Sequence, residues 1–343
     1  EGEGEGEGEG EGEGEGEGEG EGEGDIALPG NVLVVDVRNH SGVEDGRTWA
    51  TAYSTIQPAL DAAISLPSAE VWVARGSYGE ARVPDGQLQL RSGVALYGGF
   101  AGREFTRDAR DLTVNATTID GSVSNAGAPA LRVVNGADNA RLDGFIVRGG
   151  NGPAGGGMVN NNASPVVANC VLRDNTATSF GGGMFNLDGA APTIVNCLFE
   201  QNTADVGAGM ANKDATPSIS LCTFAANTAT NFGGGAYSTG TGVEFTACLF
   251  TQNHALRGAG AFNEAGAILA YTRCKFLDNA AAQRGGGLAN YDGSSVLLRN
   301  CLIAKNTSDV HAGGIFNLNA SPLLTCCTLA DNAAPSRGAG MYN

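Results

Sequence analysis

The feature that most constrains this chain is a cysteine that returns every 25–27 residues: Cys170, Cys197, Cys222, Cys248, Cys274, Cys301 and Cys327. Five residues after each stands an asparagine: Asn175, Asn202, Asn227, Asn253, Asn279, Asn306 and Asn332. Two residues after each comes a bulky apolar group (Leu172, Phe199, Phe224, Phe250, Phe276, Ile303, Leu329). Three residues before each comes another (Val167, Ile194, Ile219, Phe245, Tyr271, Leu298, Leu324). Small-residue triplets keep the same beat, from Gly155-Gly-Gly and Gly181-Gly-Gly to Gly207-Ala-Gly and on to Gly338-Ala-Gly. Three residues past each triplet lies Asn160, Asn186, Asn212, Ser238, Asn263, Asn290, Asn317 or Asn343. Features that share one period this closely mark a repeat architecture, in which each unit buries its apolar face against the next.

Helical hairpin repeats need helix formers at 3.6-residue spacing, whereas these units are dense in Gly, Thr, Asn and β-branched residues. Apolar positions two or three apart fit short strands broken by bends. About 26 residues supply three strands and three turns, one circuit of a parallel β-helix whose coils stack about 4.8 Å apart. Residues one period apart then lie above one another. The cysteines and phenylalanines become interior columns, and the two asparagine series become ladders that pass amide hydrogen bonds from coil to coil. Glycines take corners that need positive φ or close backbone approach. The three-residue step from Ile194 to Cys197, against two from Cys197 to Phe199, predicts a corner between the first pair.

Three segments follow. Residues 1–24 are twelve Glu-Gly pairs. Residues 25–85 read as a cap, with strands near 32–36 and 70–74. Between them lies an amphipathic helix whose capping box is Ser54-Thr-Ile-Gln57 and whose apolar face is Ile56, Ala59, Leu60, Ala63 and Ile64. Residues 86–343 form the solenoid, degenerate to about 150, for roughly ten coils and a rod on the order of 48 Å long. The fold class is all-β.

Charge decides little about partners. The Glu-Gly run contributes −12 of the formal −17, so the other 319 residues carry only −5. No basic patch points to nucleic acid, and no apolar run approaches the roughly 20 residues of a membrane-spanning helix. No signal peptide is visible. The chain starts inside a low-complexity run and reads as a processed or trimmed form.

Phe199-Glu-Gln-Asn202, Phe224-Ala-Ala-Asn227, Phe250-Thr-Gln-Asn253 and Phe276-Leu-Asp-Asn279 resemble the FxxN repeat of polymorphic outer-membrane proteins. The triplets followed by Met184, Met210, Leu288 or Ile315 look like their GGAI-type element. Residues 49–63, WATAYSTIQPALDAA, are similar to the N-terminal segment of secreted bacterial pectin-lyase-like proteins. The resemblance covers residues 30–343. It implies a right-handed β-helix at the cell surface or outside the cell, and adhesion, usually with a C-terminal outer-membrane barrel. Leu172, Ile303 and Leu329 depart from the motif's Phe.

Candidate chemistry is thin. Stacked cysteines have parallel Cβ vectors that disfavour disulfides, so the column reads as free, buried, small groups, with only the vicinal Cys326-Cys327 pair breaking the pattern. A β-helix lyase or hydrolase needs carboxylates on adjacent coils. The surface positions instead run Asp174, Gln201, Ala226, Gln252, Asp278, Lys305, Asp331, and His40, His254 and His311 fall in unrelated registers. No catalytic, cofactor or metal residue is therefore assigned. Calcium at the Asn186-Leu-Asp188 and Asn290-Tyr-Asp292 bends is the one candidate ion, against solvated turn acids. The aromatic column Phe185, Tyr237, Phe262, Phe316, Tyr342 reads as packing, or else as a sugar platform.

Assembly is the expectation. The Gly-Ala-Gly-Met341-Tyr342-Asn343 element presents an uncapped coil with unpaired strand edges. The Glu-Gly run, with its glutamates on one face of an extended strand, could add to a neighbouring subunit. The reading is thus a non-enzymatic extracellular or bacterial-surface rod that forms filaments or layers. The alternatives are an adhesin for a host or glycan surface and a polysaccharide lyase or hydrolase.

Overall fold

The computed structural model describes Gly2, residues 27–83 and residues 85–343. Apart from Gly2, the Glu-Gly run expected to add to a neighbour lies outside the described residues. The rest is a right-handed parallel β-helix of about ten turns with about 26 residues per coil. Its strands form four sheets, of 11, 10, 7 and 10 strands. The expected three strands per circuit become four, because a strand precedes seven of the eight small-residue triplets. We name the faces in chain order. Val166–Ala168 lies on face one, Val171–Arg173 on face two, Thr176–Phe180 on face three and Met184–Leu187 on face four.

Coils stack in register as the period requires. Val167 pairs with Ile194, Ile194 with Ile219 and Ile219 with Phe245 on face one. Leu172, Phe199, Phe224, Phe250, Phe276, Ile303 and Leu329 follow one another on face two. The rings of Phe199, Phe224, Phe250 and Phe276 stack at centroid distances of 4.8, 4.8 and 4.6 Å. Offset stacking of this kind adds about 0.5–1.5 kcal/mol per pair to the burial of the rings.

Each corner holds a residue with positive φ. Asn196 (φ 52°) is the corner predicted between Ile194 and Cys197, and Gln201 (φ 54°) is the corner before Asn202. Leu221, Arg273 and Lys305 occupy equivalent corners at φ 56–57°, although none is a residue that favours this conformation. The glycine triplet opens on a third such corner, as at Gly181 (φ 64°). Its last member has a different role. A Cβ on Gly235 would lie 2.5 Å from the carbonyl oxygen of Gly260 in the next coil, and one on Gly209 would lie 2.4 Å from that of Gly235. Backbone meets backbone there, which explains why this position never admits even alanine.

At the N-terminal end, helix α1 (Ile56–Ala63) packs Ile56, Ala59, Leu60 and Ala63 onto the core. Three expectations are corrected. The helix N-cap is Thr55 rather than Ser54, with no side-chain cap. Gln57 instead ties the helix to the coil below, accepting from the Gln89 backbone amide (2.8 Å) and donating to the Gln89 carbonyl (3.2 Å). Ile64 lies past the helix end and is 60% exposed. Strands Val32–Val35 and Glu70–Ala74 pair with each other, and the second pairs with Ala95–Phe100, so face one begins at Val32.

Candidate functional site

The residues singled out by period form the interior. Cys170, Cys197, Cys222, Cys248, Cys274 and Cys301 are buried and Cys327 is half-buried, all with free thiols. Each thiol donates to backbone carbonyls, Cys248 to Thr246 at 3.4 Å and Cys301 to Tyr271 at 3.2 Å. Hydrogen bonds with the neighbouring sulfurs of Cys170 and Cys222, together with burial, hold the Cys197 thiol well above its ordinary pKa. At Cys197 the thiolate, the reactive form, is therefore disfavoured. The vicinal Cys326 takes the positive-φ corner (φ 53°) and is exposed.

Two asparagine ladders run the length of the regular coils. In the first, each side-chain amide nitrogen donates up the column: Asn175 to Asn202, then Asn227, Asn253, Asn279, Asn306 and Asn332, at 2.8–3.2 Å. The second proton goes to a carbonyl below, as from Asn227 to Phe199 at 2.9 Å. The side-chain oxygen also accepts the preceding coil's backbone amide, as Asn227 does from Asn202 at 3.1 Å. The second ladder joins Asn160, Asn186 and Asn212, then Asn263, Asn290, Asn317 and Asn343. It weakens at Ser238, whose hydroxyl is 3.4 Å from Asn212. Beyond that break the Tyr271 hydroxyl donates to the Asn263 oxygen at 3.2 Å. Asn186 and Asn290, named at the calcium bends, thus have their amides engaged inside the ladder. Asp188 and Asp292 occupy the positive-φ corners that follow.

Chemistry-bearing groups gather outside the core in two places. The first is the outer surface of the N-terminal coils. Asp143, 1% exposed, receives Arg110 (2.8 Å), Arg141 (2.6 Å) and the Asn169 amide (2.9 Å). Burial pushes its carboxyl up, but the hydrogen bonds from Asn169, Arg141 and Arg110 prevail and hold it below the usual range. Arg107, Arg110 and Arg141 all sit over the Tyr97 ring, 5.1–5.8 Å from its centroid. Arg107 also pairs with Glu70 at 2.9 Å. A groove of about 600 Å³ nearby is lined by Arg38, Arg75, Arg103, Glu104 and Asp111 among others. Its acids are spoken for: Glu104 accepts from three backbone amides and Asp111 from Thr113 and Val114.

The second place is the corner between faces three and four. The residue before each triplet forms a column, Phe180, Val206, Phe232, Arg257 and Arg284, extended by bridges to His311 and Arg337. Arg257 lies over Phe232 and Tyr291, and Arg284 over Phe316. His311 therefore shares a register with arginines and not with His254, which pairs with Ala280, and its ring stacks on Tyr342 at 5.3 Å. Tyr342 also stacks on Phe316 at 5.3 Å, and Met341 packs against the interior core. The column Phe185, Tyr237, Phe262, Phe316 forms a second apolar cluster with Val159, Val206 and Tyr291, so most of its ring surface is buried by packing. The sequence signal for the basic column was present, always one residue before the triplet, but it spans only four coils.

No protein-family model matches the chain, and no curated protein matches it. Among solved structures, pectate lyase Pel9A aligns with a TM-score of 0.52 at 11% identity, over 87% of this chain and 78% of its own. The fold is pectate-lyase-like. At that identity the likeness of this β-helix to Pel9A concerns the path of the chain alone. A pectin methylesterase from Aspergillus niger (14% identity, 90% of this chain, 87% of that one) gives a TM-score of 0.37. PfbA, a surface adhesin of Streptococcus pneumoniae (12% identity, 90% and 93%), gives 0.36. Among the described residues, no helix is long and apolar enough to cross a membrane.

Proposed function

We propose that this β-helix is a non-enzymatic structural rod of the cell surface or extracellular space that assembles with copies of itself. The observation that carries the reading is the fate of its polar side chains. The asparagines are consumed by ladders, and the buried acids Asp36, Asp120 and Asp143 are matched by Arg38, Arg148 and the Arg110–Arg141 pair. Such pairing fixes shape and leaves these acids poorly placed to hold or move a proton for a substrate. The FxxN and GGAI-type likeness of the repeats supports surface display. Electron microscopy of the full chain at physiological salt tests the proposal, with elongated multimers as the expected result. Release of reducing ends or unsaturated sugars from acidic polysaccharides, or discrete single rods at every concentration, would overturn it. The groove beside Arg75 and Arg103 favours a second reading, an adhesive contact with an acidic glycan, which binding to immobilised uronate polymers would test.

A further inference from the structure

The column Arg257, Arg284, His311, Arg337 sets four basic side chains one above another, about 4.8 Å apart at the backbone. Like charges in register repel, and a parallel stack gives no freedom to stagger them. Among the described residues, none of the ion pairs involves Arg257, Arg284 or Arg337. Elsewhere the arginines that stack on an aromatic ring also reach an acid, as Arg107 and Arg110 do. Here the guanidiniums of Arg257 and Arg284 lie 5.1–5.9 Å from the ring centroids of Phe232, Tyr291 and Phe316, and Arg257 spends one donor on Gln283 at 3.0 Å. The remaining donors of this fork stay unpaired. His311 adds a buried Nδ1 with no hydrogen-bond partner. The structure thus presents a row of basic side chains along the rod in which no described acid pairs with an arginine, a surface whose charge and direction suit a linear polyanion.

We propose that the occupant is the Glu-Gly run, residues 1–24, of a second copy of this chain; the proposal rests on the reading of the rod as a self-assembling scaffold. In an extended strand, alternate residues share a face, so the glutamates project together about every 6.7 Å and the glycines leave the other face bare. Three glutamates then span about 13 Å, which matches the roughly 14 Å covered by four coils. A second copy fits better than the chain's own run. Seven coil steps on face one separate Val32–Val35 from Thr241–Thr246, the face-one strand of the Arg257 coil, on the order of 34 Å. Within one chain about ten residues of the run would have to be held stretched to reach the ladder, a loss of chain entropy that a neighbour's run does not carry. A neighbour can offer all twelve glutamates.

The test uses the full chain and a synthetic, fluorescently labelled peptide of twelve Glu-Gly repeats. At chain concentrations where sedimentation shows single rods, the peptide is expected to bind in low salt. It should bind at least about tenfold more weakly at 0.3 M salt, because screening shortens the reach of the charges. Arg257→Gln, Arg284→Gln and Arg337→Gln combined should weaken binding at least tenfold. The matching Arg→Lys triple, which keeps charge without the stacked fork, should retain most of it, and Arg299→Gln on face one should change nothing. Raising the concentration should drive low-salt association that the free peptide competes away. Equal binding by the glutamine triple, or binding of polygalacturonate without binding of the peptide, would overturn the ladder as the docking site. A chain that binds the peptide yet stays single at every concentration would overturn the second copy as occupant. Assembly that persists in the glutamine triple would sink the ladder and leave the scaffold reading standing.

Discussion

Asn227→Ala tests the claim that side-chain ladders, and not the strands alone, hold the coils in register. In the native coil the Asn227 side-chain nitrogen donates to the Phe199 carbonyl (2.9 Å) and to the Asn253 side-chain oxygen (3.0 Å). Its oxygen accepts from the Asn202 backbone amide (3.1 Å) and side-chain amide (3.0 Å). Alanine removes all four bonds at a site with no solvent exposure. The Asn253 oxygen keeps a donor, since the residue 227 backbone amide still reaches it at 3.1 Å. Three groups are left short: the Asn202 amide, one proton of its side chain, and the Phe199 carbonyl. A stranded buried donor or acceptor costs about 1–3 kcal/mol, and the relief of no longer burying a primary amide offsets part of the sum. The expected loss is about 3–5 kcal/mol.

Because a solenoid's stability is divided among neighbouring coils, the loss should be local as well as global. Guanidinium unfolding should show the lower midpoint, and hydrogen exchange should show the Asn202 amide losing most of its protection while amides several coils away keep theirs. Asn332→Ala, at a half-buried position, should cost about 1 kcal/mol because water can replace the lost partners. Asn227→Asp should be worse than alanine at neutral pH, since a carboxylate would face the Phe199 carbonyl and the Asn253 oxygen. Burial raises the pKa of the new carboxyl, so that extra penalty should shrink as the pH falls through it. A loss below about 1 kcal/mol with Asn202 protection unchanged would refute the reasoning.

Three further outcomes follow from the same geometry. Gly235→Ala should cost about 3 kcal/mol or more in urea unfolding, because the new Cβ meets the Gly260 carbonyl oxygen at 2.5 Å and the coils must part; Ala259→Gly, in the middle of its triplet, should cost only about 1 kcal/mol. Asp143→Asn should remove about 2–3 kcal/mol at pH 7, discounted for the partial exposure of Arg141, and should flatten the acid limb of the stability curve. In the native chain Asp143 has a lowered pKa, so its contribution is complete above the ordinary carboxyl range near 4 and is lost as the pH falls through the depressed value; an unchanged acid limb in the variant would contradict this. Thiol labelling of the native chain should be rapid at Cys326, slower at Cys327 and absent at the six buried cysteines until denaturant is added; fast labelling of Cys248 without denaturant would mean the column opens.

Interior and exterior differ in how legible they were, for a physical reason. A side chain that points inward touches its copies one period above and below. Only groups that stack on themselves survive there, and phenylalanine rings, thiols and amides each leave a visible period. The fourth strand was hidden because its inward position carries alanine in most coils, Ala177, Ala204, Ala229, Ala255 and Ala281, which gives no hydrophobic contrast. The residue types at the corners were uninformative for the opposite reason. Leu221, Arg273 and Lys305 accept a left-handed backbone that costs them on the order of 1 kcal/mol or more each, because paired coils on both sides fix the path. Local preference yields there to stacking, so the residue type carries no signal.

Exterior positions face solvent and escape that discipline, and a partner is met on the exterior. A binding row therefore need not repeat through every coil; it repeats for as many coils as its occupant is long. The column before the triplets shows the change within one register, from Phe180 and Phe232, which pack, to Arg257 and Arg284, which present charge. The backbone is continuous across that switch and the core beneath it is unaltered. In a solenoid of this kind, function is to be sought where an outward column changes chemistry while the inward columns keep time. The four-coil basic row meets that condition.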